Sequence, residues 1–186
     1  MTFITGERPR PGVRLARQVP VALALAVLAV AVVGMRPAVI VPLYLAVVTA
    51  ELCRTDVAAH RLPNAIVLPG YGFAAVGLVW EWAATGRVPW QALGVGAAFF
   101  GFLLLMNLAG GMGMGDVKLA GVLGLGLGAV GVTTAAAAMV IGFVAGGAAG
   151  VLALLAPGGL LRRIPFGPFL LFGFWSALSL SGMLEG

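Results

Sequence analysis

Thr134-Ala-Ala-Ala-Ala-Met-Val-Ile-Gly-Phe-Val-Ala-Gly-Gly-Ala-Ala-Gly-Val-Leu-Ala-Leu-Leu-Ala156 carries no charged side chain and no proline. A helix needs about 20 residues, roughly 17 to 25, to cross the hydrocarbon core of a bilayer, and this stretch supplies them. Similar runs flank it. Phe166 to Met183 follows it, and Val117 to Thr134 precedes it, with Gly126, Gly128 and Gly131 blurring the join at Thr134. Further back lie Pro89 to Ala109 and Asn64 to Ala84. Pro63 opens the latter, at a helix start where a missing N–H costs nothing. Ala38 to Thr55 comes before these, with Pro42 expected to bend its early part, and Val19 to Val33 is a short first candidate. The reading is all-α: one polytopic membrane domain of about seven transmembrane helices.

Composition supports this. Of 186 residues, 61% are hydrophobic and 9% are charged, too few charges to cover a water-soluble protein, so lipid is the expected solvent and partner. The net charge of +5 does not indicate nucleic acid, because the basic residues lie mostly between apolar runs and fit loops that anchor helices. Cys53 is the only cysteine and His60 the only histidine. Neither an intrachain disulfide nor a multi-histidine or cysteine-rich zinc site can be built from them, and His60 reads as an interfacial residue.

Residues 1–18 read as a basic cytoplasmic segment, 19–35 as the first membrane anchor and 38–184 as the membrane domain. The basic flank and apolar run also fit a signal peptide, with small residues near Ala31 and Gly34. A retained anchor is preferred because later spans need a starting orientation. Loops are short, and there is no linker or repeat. Irregular backbone cannot face lipid unpaired. Gly124 and Gly128, Gly142 and Gly146, and Gly146 and Gly150 have the spacing that lets helices approach closely. Packing within the domain is the expectation, and oligomeric state stays open.

With the amino terminus in the cytoplasm, Arg8, Arg10, Arg14, Arg17, Arg54, Arg61, Lys118, Arg162 and Arg163 fall inside, against Arg36 and Arg87 outside. That asymmetry matches the positive-inside rule and predicts a multi-pass plasma-membrane protein. Asp56 and Asp116, the only aspartates, then share the cytoplasmic boundary. A carboxylate near hydrocarbon is costly unless solvated, paired or used. Two facing carboxyls do not both ionise readily. One then serves as a base for water, while its protonated partner polarises a peptide carbonyl and assists amine departure. The plainer readings are helix capping by Asp116 and an ion pair of Asp56 with Arg54 or Arg61.

The segments around these acids are Asp56-Val-Ala-Ala-His-Arg-Leu62-Pro63-Asn64 and Gly113-Met-Gly115-Asp116-Val117-Lys118-Leu119. Together, and in this order, they resemble the type IV prepilin leader peptidases, membrane aspartyl peptidases of Gly-x-Gly-Asp architecture. In that family an aspartate precedes a Pro-Asn pair by seven residues, and Gly-x-Gly-Asp runs on into Val-Lys. The resemblance covers roughly Val39 to Met183. It implies that Asp56 and Asp116 are the catalytic pair, supported by Pro63, Asn64, Gly113, Gly115 and Lys118. It also implies an aspartic endopeptidase that cuts a short basic leader from a prepilin or pseudopilin precursor at the cytoplasmic boundary, for a pilus or a secretion filament. Larger relatives carry a cytoplasmic insertion with paired cysteines and methylate the new amino terminus. Only Gly34 to Pro37 separate the first two candidate spans here, so no cofactor or metal is inferred, and methyl transfer stays open.

Helix ends suggest roles. Asp56 ends a helix, where negative charge is disfavoured, and reads as the protonated partner. Asp116 begins one and reads as the ionised base, with Lys118 reinforcing it. Asn64 and Asn107 read as structural, Glu51 as a protonated interhelical donor, Arg162 and Arg163 as inner anchors, and Trp80, Trp82 and Trp90 as outer interfacial anchors. Two other classes fit several spans: a small transporter, which needs a polar route at the midplane, and a noncatalytic assembly protein with a peptidase fold.

Overall fold

The computed structural model describes residues 11–155 and 165–185, with side chains from residue 18 onward. Arg8, Arg10, Arg162, Arg163 and Ala156 lie outside the described residues, as do the side chains of Arg14 and Arg17. The described residues form seven helices and no strand. In chain order these are α1 (Pro11–Val33), α2 (Ile40–Ala59), α3 (Asn64–Thr85), α4 (Trp90–Leu108), α5 (Met114–Gly128), α6 (Val132–Leu155) and α7 (Gly167–Leu184), with a 3-10 turn at Pro37–Val39.

Local chemistry places the turns. α1 ends at Gly34, α3 at Gly86 and α4 runs into Gly110, all with positive φ, where a residue without Cβ pays no steric penalty. His60 takes the same left-handed conformation, φ 50°, at the end of α2. Pro63 and Pro89 precede α3 and α4. Pro42 is the third residue of α2, in the first turn, where its missing N–H has no helical acceptor to lose.

Five helical segments are long and apolar enough to cross a membrane: Pro37–Ala59, Asn64–Thr85, Trp90–Leu108, Val132–Leu155 and Gly167–Leu184. The apolar part of α1, Gln18–Val33, is shorter. The chain is a multi-pass membrane protein whose outer face is apolar: Val27, Val76, Leu105, Val144 and Leu152 are all exposed. Trp80, Trp82 and Trp90 are exposed as well, around the turn that joins α3 to α4.

The fifth element departs most from the sequence reading. It runs only from Met114 to Gly128, 15 residues, rather than from Val117 to Thr134, and the break falls at 129–131. A helix of that length covers about 22 Å, less than the roughly 30 Å of hydrocarbon. α5 is the core of the bundle. Val117, Leu119, Ala120, Val122, Leu123 and Leu127 are almost wholly buried. Its glycines admit neighbours closely: a Cβ on Gly124 would meet the Gly96 Cα at 2.9 Å, and one on Gly128 would meet the Ala92 Cα at 2.8 Å. The Gly124 and Gly128 spacing thus packs α5 onto α4. Gly142 likewise sits against the Phe169 carbonyl, 3.0 Å from an added Cβ, and Gly146 against the Phe166 ring, packing α6 onto α7.

The position of the break has a distant cause. Glu185, beyond α7, accepts from the backbone N–H and the hydroxyl of Thr134, both at 2.8 Å. Its carboxylate also occupies the space a side chain on Gly131 would need. It thereby satisfies amides that a helix start leaves without partners, and α6 begins at Val132.

Candidate active site

Alternating helix direction brings the carboxyl end of α2, the amino ends of α3, α5 and α7 and the carboxyl end of α4 to one end of the bundle. Gly34, Gly86 and Glu185 mark the other. α2, α5 and α7 pack on one another. Asp56 and Asp116 stand at the shared end and are 4% and 9% exposed.

Leu62 joins the two acids. A Cβ on Gly115, the residue before Asp116, would lie 2.9 Å from Leu62 Cβ and 3.3 Å from its backbone N. A Cβ on Gly167 would lie 3.4 Å from Leu62 Cδ1 and 2.8 Å from Asp56 Oδ2. Two glycines from different helices therefore close on one leucine, with an acid beside each. A side chain at Gly115 would press on the Cβ and backbone of Leu62, and one at Gly167 would displace the Asp56 carboxyl.

The hydrogen bonds differ between the acids. Asp56 Oδ2 accepts from the Gly167 N–H at 2.9 Å. Asp116 Oδ1 is buried with no partner among the described residues. Asp116 lies in the first turn of α5, outside the five spanning segments. Burial, and then the negative charge of Asp56, push its carboxyl up to about 6, and the Gly113 backbone only partly draws it down. Asp116, although it begins a helix, is thus pushed towards holding a proton to higher pH than a free aspartate, and Asp56, although it ends one, accepts a backbone hydrogen bond; both features run against the roles expected from the helix ends. Asp56 faces the amino terminus of α7, whose amide and positive dipole end favour a carboxylate.

The remaining candidates sort by contact. Lys118 Nζ donates to Asn64 Oδ1 at 3.0 Å and ties α5 to α3 instead of reinforcing Asp116. Pro63 precedes α3, and its carbonyl accepts from Ile66 N at 2.9 Å and Val67 N at 3.1 Å. Gly113 precedes α5, and a Cβ there would lie 3.4 Å from Asp116 Oδ2. Asn107 Nδ2 donates to the Met112 carbonyl at 2.7 Å, across the glycine-rich turn. Glu51 bridges two helices through Gln18 Nε2 at 2.8 Å, but it also pairs with Arg54. It therefore acts as a carboxylate acceptor rather than a neutral donor. Arg54 is thereby engaged away from Asp56, which removes it as the ion-pair partner of that acid.

Gly167 was not singled out from the sequence. Its signal was Gly167-Pro168 opening an apolar run, a helix start that looks like a plain anchor. An apolar groove of about 420 Å³ lies elsewhere, lined by Tyr71, Phe100, Lys118, Gly121 and Leu125. Lys118 is about 200° around α5 from Asp116, so the groove opens on the side turned away from the acids.

No curated protein and no solved structure matches the chain. One family model does: it covers residues 39–155, most of the chain and both segments that bear the aspartates, and the chain belongs to the type IV leader peptidase family.

Proposed function

We propose that the protein is an aspartic endopeptidase that removes short basic leaders from prepilin-like precursors at the cytoplasmic boundary of the membrane. The observation that carries this reading is the pair of buried aspartates that close on Leu62 at one end of the bundle, one pushed up by burial and by its neighbour's charge and the other accepting a backbone hydrogen bond. Asp56 and Asp116 are the catalytic pair. Gly113, Gly115, Pro63, Asn64 and Lys118 support them by fixing the starts of α3 and α5.

In this reading a water molecule lies between the acids and the scissile carbonyl. Asp56 takes a proton from the water as its oxygen adds to the carbonyl carbon. Asp116 donates its proton towards the carbonyl oxygen, which prevents a full negative charge from forming in a poorly hydrated site. Collapse of the tetrahedral species breaks the C–N bond: the departing nitrogen takes the proton held by Asp56, and one hydroxyl of the diol returns its proton to Asp116 as the carbonyl re-forms, which restores the pair. The orientation that puts these groups in the cytoplasm follows from Arg54, Arg61 and Lys118 at that end against Arg36 and Arg87 at the other. A basic leader and an apolar segment are the substrate features the family suggests, and the apolar segment stays in the lipid.

The test uses purified protein in lipid nanodiscs and a precursor with a basic leader ahead of one hydrophobic segment. Mass spectrometry is expected to find a single cut between leader and segment for wild type, and none for Asp56→Ala or Asp116→Ala. Cleavage that survives both substitutions refutes the dyad. A wild type that binds the precursor and never cuts it favours the noncatalytic assembly reading.

A further inference from the structure

Asp56 accepts one hydrogen bond from an element outside both motif segments and outside the 39–155 match. The donor is the first amide of α7. Phe166 precedes that helix, Gly167 opens it and Pro168 follows. The Phe166 carbonyl takes the amides of Phe169 and Leu170 at 3.0 and 3.2 Å, and proline has none to give. Gly167 N–H is thus the donor that this helix start leaves for an outside acceptor. A side chain here would displace the carboxyl it serves, since a Cβ would lie 2.8 Å from the accepting Oδ2 and 3.4 Å from Asp56 Cγ.

The rest of α7 holds that amide in register. Trp175 Nε1 donates to Thr49 Oγ1 at 3.0 Å, buried between α7 and α2. Gly167 lies about 12 Å up α7 from Trp175, and Asp56 about 10.5 Å up α2 from Thr49. In antiparallel helices the deeper bond therefore sets the shallower one. Phe166 packs edge-on against Phe143, ring centroids 5.0 Å apart, and against Gly146, so α6 braces the same turn.

We infer that Gly167 is a positioning residue whose backbone N–H holds Asp56 as the ionised acceptor and so leaves the proton of the pair on Asp116. This deepens the peptidase reading and rests on it for its consequence in catalysis. Of the other groups around Asp56, His60 at the end of the same helix acts in the same direction as the Gly167 amide but through its charge, and Cys53 feels the charge of Asp56. From α5 come Asp116 and Lys118, the latter turned to Asn64. The described residues of α1 and α7 bring no charged side chain, and α3 carries only Glu81, at the far end.

The experiment reads Asp56 directly, without activity. In an Asp116→Asn background, infrared difference spectra against the Asp56→Asn/Asp116→Asn double variant follow the protonated carboxyl band of Asp56 with pH. Adding Gly167→Ala is expected to raise the midpoint by about one pH unit, roughly a tenfold change in the ionisation equilibrium. An unmoved midpoint in folded protein overturns the inference. If Gly167→Ala does not fold, Trp175→Phe decides instead: it loosens the register without adding atoms, and its midpoint must also rise. In the active background, Gly167→Ala moves the acid limb of the cleavage profile upward, whereas a merely structural defect lowers the rate equally at every pH. An infrared shift in a protein that never cleaves the precursor sinks the peptidase reading and leaves the role of Gly167 standing.

Discussion

Gly115→Ala puts one methyl group into the joint between the two acids. The new carbon would lie 2.9 Å from Leu62 Cβ, 3.3 Å from Leu62 N and 3.5 Å from Leu62 O. Non-bonded carbons rest at about 3.5–4.0 Å, so the first turn of α5 or the Leu62 loop must move by roughly 0.6–1.1 Å. Relief by side-chain rotation is unavailable, because the contacts are with Cβ and backbone, and Leu62 is itself buried. Overpacking of this kind costs about 1–3 kcal/mol of stability. Moving a catalytic group by about 1 Å costs on the order of 100-fold in rate. Precursor cleavage followed by mass spectrometry is therefore expected to show kcat/KM lowered about 10- to 100-fold. Gly101→Ala is the control, since nothing lies within 4 Å of its added Cβ. A folded Gly115→Ala protein that cleaves at the wild-type rate would refute the argument that Leu62 sets the spacing of the pair.

Two further outcomes follow from the same geometry. Asp116 keeps its proton below about 6 and loses it above, so kcat/KM, which reports the free enzyme, falls as pH rises through that value. A profile flat from about pH 5 to about pH 8 removes Asp116 as the acid. At the opposite end, Glu185→Ala strips two bonds from the start of α6. It lowers the thermal midpoint by the equivalent of about 0.5–2 kcal/mol, whereas Glu185→Gln, keeping an acceptor oxygen, recovers much of it. Cleavage per folded molecule is unchanged in both, and a selective loss of activity would contradict the separation of the two ends.

Most of the architecture was legible because lipid imposes a simple requirement on long runs. Stretches such as 64–84 and 134–156 have few ways to satisfy their backbone other than as helices. The acids were legible too, since Asp56 and Asp116 lie in short segments whose spacing can be read directly. What escaped the reading depends on contacts between residues far apart in the chain. The start of α6 is fixed by Glu185, 51 positions from Thr134, and nothing around Gly126 or Gly131 announces that. The surroundings of the two acids were hidden for the same reason. Each helix end was judged by its own dipole, while the amide that favours a charged Asp56 comes from Gly167, 111 positions away. Lys118 was likewise assigned to the acid nearest in sequence, whereas the fold sends it to Asn64.

The shortness of α5 has a consequence for hydration. Six longer or more peripheral helices surround a central one of 15 residues, about 8 Å short of the hydrocarbon slab. The shortfall has to appear at its ends, and Asp116 stands at one of them. Because protein rather than lipid surrounds α5, loops and the ends of neighbouring helices fill the space beyond it. In the proposed reaction water would have only these to pass on its way to the acids, and no tunnel along the bundle would be required.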